Sequence, residues 1–135
     1  MANNRKLGNS FEAEFCQMLF DRGFWAHQLT QNNAGQPADV IAARGNLTLL
    51  VDCKVCSGKG FSISRVESNQ WTAMELWAER TNYTPMFALK LKDETVWMVS
   101  YHTMYHYYKK GIPTLSESTI RECGNTFEEW VELIR

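Results

Sequence analysis

Two aspartates and a lysine stand out because they interrupt segments that are otherwise apolar: Asp39 follows Pro37-Ala38 at the head of one run, and Asp52-Cys53-Lys54 closes the next. An ionised carboxylate beside an apolar sheet costs several kcal/mol unless a cation or hydrogen bonds compensate it. Two such aspartates on neighbouring strands therefore suggest a shared hard cation such as Mg²⁺, which takes oxygen ligands. Strand alternation puts Asp52 and Lys54 on one face, with Cys53 turned the other way. A lysine ammonium so placed can hold and help deprotonate a water, while a metal lowers that water's pKa and stabilises charge on a phosphate. That is the chemistry of phosphodiester hydrolysis. On a blander reading Asp39 caps a strand start and Lys54 is an edge residue.

The elements that must carry these groups are legible in outline. Phe11, Phe15, Met18 and Leu19 have the spacing of an amphipathic helix from Asn9 or Ser10 to about Arg22, ahead of Gly23. Phe24 to Leu29 reads as a short aromatic strand, and Thr30 to Pro37 as a polar loop. Asp39–Ala43 and Leu47–Val55, joined by Arg44-Gly45-Asn46, read as antiparallel neighbours. Ser57 to Gly60 is a turn and Phe61 to Ser64 a brief extended piece. A second helix is expected over Ser68–Arg80, where Trp71, Met74 and Trp77 recur behind a capping Ser. Met86–Leu91 and Thr95–Ser100 are two further strands, Tyr101 to Tyr108 a tyrosine-rich surface or packing segment, and Thr126 to Ile134 a capped last helix. The Trp residues at 71, 77, 97 and 130 hold core-like positions. This order predicts an α/β fold, a central mixed sheet flanked by helices, in a single domain over 1–135.

Bulk properties narrow the function classes. The chain has 135 residues, 44% apolar and 13% aromatic, ample for one core. No apolar run has the eighteen or so residues that span a bilayer, and the start lacks a secretory stretch, so a cytoplasmic protein without a membrane partner is expected. Cys16, Cys53, Cys56 and Cys123 read as reduced thiols, and Cys53-x-x-Cys56 lacks the further ligands of a zinc site. His27, His102 and His106 form no ligand pattern with the acids.

A net charge of -1 at first disfavours a nucleic-acid partner, but its distribution does not. Residues 1–65 carry seven Lys or Arg against five acids, and residues 66–135 seven against ten. Three of those five acids are metal candidates, which leaves the rest of the first half positive.

Pro37-Ala-Asp39 followed by Asp52-Cys-Lys54 resembles the PD-(D/E)xK nuclease signature, with its restriction-endonuclease-like fold. Gly8-Asn-Ser-Phe-Glu12, Pro37-Ala-Asp-Val-Ile-Ala and Thr84-Pro-Met-Phe-Ala-Leu narrow the likeness to Holliday junction resolvases of the archaeal and RecU types, over roughly residues 5–100. The resemblance implies a homodimeric endonuclease that cuts four-way DNA junctions. It implies Mg²⁺ or Mn²⁺ held by Glu12, Asp39, Asp52 and the backbone carbonyl of Cys53, with Lys54 as the catalytic lysine. Asp52 stands where Glu is commoner, one methylene shorter. Glu12 is preferred to Glu14 on its spacing from Gly8, although an acid in a helix's first turn is favoured by the dipole alone.

Gln70 resembles a glutamine that approaches the active site in relatives; it also fits an ordinary helix surface. Arg5, Lys6 and Lys59 are candidates for phosphate contacts, and the loop from Gln31 to Gln36 for reaching DNA. The small size suits a phage or prophage origin. The alternatives are a restriction- or repair-type nuclease acting on duplex DNA, and a catalytically silent DNA-binding relative.

Overall fold

A computed structural model describes residues 4–29 and 37–134, with side chains from Ser10 onward. Helix α1 (Asn4–Phe20) packs Phe11, Phe15 and Leu19 inward, a four-residue repeat that buries one stripe. It begins five residues earlier than the capping signal at Asn9 suggests, so Arg5 and Lys6 lie within its first turn and not ahead of it. The Lys90 ammonium, 2.7 Å from Glu14 and 5.7 Å from the Phe11 ring centroid, ties the helix to the sheet.

Strands β1 (Trp25–Gln28), β2 (Val40–Arg44) and β3 (Leu47–Val55) form an antiparallel meander with Val40 opposite Val51. The two-residue strand β4 (Phe61–Ser62) and a 3-10 turn (Ile63–Arg65) lead into α2 (Ser68–Arg80), which crosses to β5 (Met86–Lys90). This crossover makes β3 and β5 parallel, with Asp52 opposite Phe87. β6 (Val96–Ser100), α3 (Tyr101–Lys109), β7 (Thr114–Leu115), α4 (Glu117–Cys123), β8 (Asn125–Thr126) and α5 (Phe127–Leu133) complete the order. The six-stranded sheet runs β1-β2-β3-β5-β6-β8, mixed as expected, and β4 pairs with β7 apart from it.

Each sheet face carries its own apolar cluster. Phe11, Phe15, Val40, Val51, Cys53, Ala88 and Trp130 pack together beneath α1 and α5. Leu50, Phe61, Met74, Phe87, Leu89, Met104 and Ile120 pack on the opposite face beneath α2, α3 and α4. Trp130 is buried as expected, whereas Trp71, Trp77 and Trp97 only lean on the second cluster. The tyrosine-rich segment is helix α3, its N-cap Ser100 accepting from the Thr103 amide. No helix of the described residues is long and apolar enough to cross a membrane.

Candidate active site

The buried polar or charged side chains among the described residues are Glu12, Asp39, Asp52 and Gln70, at 7%, 5%, 0% and 5% exposure. They come from α1, the approach to β2, the middle of β3 and the first turn of α2. Asp39 sits one residue before β2, where its amide donates to the Val51 carbonyl (3.1 Å) and its carbonyl accepts from the Leu29 amide (2.8 Å). Its carboxylate turns across to β3 and accepts the Cys53 N–H at 2.7 Å, a short charge-assisted bond. That bond fixes Asp39 beside Asp52.

Asp52 faces the α2 side by strand alternation. Its Oδ1 accepts from Gln70 Nε2 at 3.0 Å. Gln70 is held in turn by the capping box of α2: its Oε1 accepts the Glu67 amide at 3.0 Å while the Glu67 side chain accepts from the Gln70 backbone. Gln70 is therefore a buried bridge between the helix start and the strand, not a helix-surface residue. Asp52 Oδ2 lies 3.3 Å from Lys54 Nζ, but off hydrogen-bonding alignment, and this fully buried oxygen has no donor. Lys54 also reaches the Arg65 carbonyl at 3.5 Å, and its side chain is 15% exposed, enough to meet a bound substrate.

Between the two candidate glutamates, the structure turns Glu12 inward and leaves Glu14 outside with Lys90. Glu12 Oε2 accepts from Gln28 Nε2 at 3.0 Å. Sequence reasoning missed Gln28. Alternation on an expected strand puts it on the same side as Ala26, but its reach to Glu12 depends on how α1 docks.

Burial first, then the charge of Asp39, raises the Glu12 carboxyl from its ordinary 4.5 to about 7 against the pull of the Gln28 bond and Lys54. The same two causes hold Asp52 well above the usual carboxylate range, opposed by Lys54. Buried carboxyls beside another acid bind a proton or a cation far more readily than isolated ones. Among the described residues no three His, Cys, Asp or Glu side chains already meet as a cation site. The charge of Asp39 acts on both Glu12 and Asp52, so the three acids lie within electrostatic reach of one another through Asp39. A hard divalent cation fits this donor set: all oxygen, acidic, and with one buried carboxylate oxygen lacking a donor.

Cys53 and Cys56 are free thiols on opposite faces of the sheet, one in each apolar cluster, and burial raises both. Cys16 and Cys123 are free as well. Lys59 is exposed in the turn after β3. The side chains of Arg5 and Lys6 and the loop from Gln31 to Gln36 lie outside the described residues.

A mixed sheet flanked by helices, with Asp39 at the head of one strand, Asp52 and Lys54 on the next and Glu12 on the first helix, is the arrangement expected of a restriction-endonuclease-like fold. The family of archaeal Holliday junction resolvases, Hjc, matches residues 3–135, and the chain belongs to that family. Among solved structures it is similar to Hjc of Archaeoglobus fulgidus, described as a Holliday junction resolvase from an archaeal hyperthermophile. The TM-score is 0.69 at 16% identity, covering 92% of this chain and 99% of that one. No curated protein sequence matches significantly.

Proposed function

We propose that this chain is one nuclease domain that resolves Holliday junctions by metal-dependent hydrolysis of backbone phosphodiesters. Family membership supports the substrate, and the burial of three acids, Glu12, Asp39 and Asp52, the last with an oxygen that lacks a donor, carries the chemistry. Those three carboxylates, with the Cys53 carbonyl beside them on β3, would hold Mg²⁺ or Mn²⁺. Bound there, a divalent cation lowers the pKa of a water and neutralises charge on the phosphate.

The chain's own residues divide the remaining work. Gln70 fixes Oδ1 of Asp52 and leaves Oδ2 free to serve as a ligand. The Cys53 amide locks Asp39, and Gln28 aims Glu12. Lys54 donates to the attacking water and to the phosphate oxygen nearest it. Arg5, Lys6, Lys59 and the loop from Gln31 to Gln36 contact phosphates. Two copies related by a two-fold axis would present two sites and cut opposed strands symmetrically.

Cleavage of a four-way junction and a linear duplex of the same sequence, side by side in Mg²⁺, tests this reading. Asp52→Asn should lose at least ~100-fold of the junction-cutting rate, the several kcal/mol that metal catalysis supplies. Its junction binding in Ca²⁺ should persist. A mutant that still cuts would exclude the metal site, and equal cutting of both DNAs would mean a duplex-directed nuclease.

A further inference from the structure

The sheet face that carries Asp52 and Lys54 is covered by helices on one side of the site and, among the described residues, open on the other. Leu50, Phe87, Leu89 and Val99 on that face are buried. Toward the edge the register continues it through Ile41 to His27 and through Ala43 to Trp25. Among the described residues this stretch is uncovered: Trp25 is 58% exposed, His27 and Thr48 are exposed, and Ile41 and Ala43 are half-buried.

An exposed tryptophan on an edge strand is unfavourable unless something covers it. The two rings are organised: the indole and imidazole lie within 7° of parallel, centroids 5.9 Å apart. The rings stack against one another in parallel planes, an apolar aromatic shelf standing off the edge strand. β1 and β2 carry no acid, and Arg44 is their one formal charge, so nothing on the shelf repels phosphate. His27 lies two strands and two residues from Asp52, about 12 Å, and Trp25 about 17 Å, from strand spacings of ~4.8 Å and a rise of ~3.4 Å per residue. That range corresponds to about three to five base steps at ~3.4 Å.

We propose that the Trp25–His27 shelf is a stacking platform for a base, or the open face of a terminal base pair, at the branch point of the DNA being cut. Inside a continuous duplex both faces of each base are already stacked. At a branch point one face is not, and aromatic side chains take unstacked bases whatever their sequence. The shelf thereby favours branched over linear DNA and sets how far from the branch the cut falls. This rests on the nuclease reading above.

The test is the affinity of Trp25→Ala for a four-way junction carrying 2-aminopurine at the branch point, measured in Ca²⁺, with a linear duplex alongside. Alanine at a stacked base costs about 1–3 kcal/mol, so junction affinity should fall about 5- to 150-fold. Duplex affinity should change less than twofold, Trp25→Phe should retain most binding, and 2-aminopurine quenching should weaken with Trp25→Ala. Unchanged junction affinity would overturn the platform, as would an equal loss on duplex DNA. If Trp25→Ala instead weakens self-association in sedimentation at unchanged melting temperature, a second copy covers the shelf and the proposal falls. Wild-type protein that neither binds nor cuts the junction would fail the nuclease reading itself, whatever the variant does.

Discussion

Glu12 titrates near neutrality, and this couples folding to pH with a definite sign. Below about pH 4.5 Glu12 is protonated folded and unfolded; between 4.5 and about 7 the unfolded chain gives up the proton while the folded one keeps it. Stability of the metal-free protein therefore falls as pH rises through this window, by at most ~1.4 kcal/mol per pH unit, and levels off above it. Asp52, raised for the same reasons, pulls in the same direction. Glu12→Gln removes the titrating group, so its melting temperature should gain on wild type between pH 5 and 7.5 in EDTA. A constant difference between the two melting curves would contradict the raised Glu12 carboxyl. At this scale the acids were legible because charge inside apolar strands is conspicuous. Gln28 was not, because an amide at a strand end carries no signal until α1 is docked.

Helix α2 shows how an element both folds and positions the site. Gln70 joins the capping box to Asp52 with the two ends of one amide. Gln70→Ala should therefore lose both functions, about 1–2 kcal/mol of stability together with cutting rate. Gln70→Glu keeps an acceptor for the Glu67 amide but faces Asp52 with a carboxyl, so cutting should suffer more than the melting temperature. Unimpaired cutting by Gln70→Glu would reduce Gln70 to a cap. Elsewhere, Gly60 closes the turn before β4 at φ +102°, and an added Cβ would meet the Leu115 carbonyl oxygen of β7 at contact no atom pair allows. Gly60→Ala should lower the melting temperature by ten degrees or so, about 3 kcal/mol. Gly45→Ala, at φ +57° with open space around it, should lose only about 1–2 kcal/mol. The long elements were readable from periodicity. β4 was legible as the brief extended piece from Phe61, whereas β7 and β8 have two residues each, too few for any period, and α4 has seven. α3 escaped because tyrosine and histidine are indifferent helix formers and its signal was the single cap at Ser100.

For the whole molecule, the site lies where the two apolar clusters meet: Glu12 rides on the helix over one, and Gln70 on the helix over the other. A divalent ion held between them would bind the folded state and not the unfolded chain. Mg²⁺ at about ten times its dissociation constant should then add ~1.4 kcal/mol, and at a hundred times ~2.7 kcal/mol, read as a rise in melting temperature that Asp52→Asn lacks. The mixed sheet and its flanking helices were predictable from the order of elements. The face left bare beside the site among the described residues was not, because which strands the helices cover depends on the crossover through α2. The candidate side chains from Glu12 to Gln70 come from one unbroken stretch of chain, while the second half supplies strands and helices that brace it. Yet the brace is required, since β3 needs β5 as its neighbour. One of its turns is not: Gly111, after the exposed Lys109-Lys110 pair, has nothing within 4 Å of where a side chain would be. A fluorescent reporter spliced there, or new termini opened there, should leave the cutting machinery untouched.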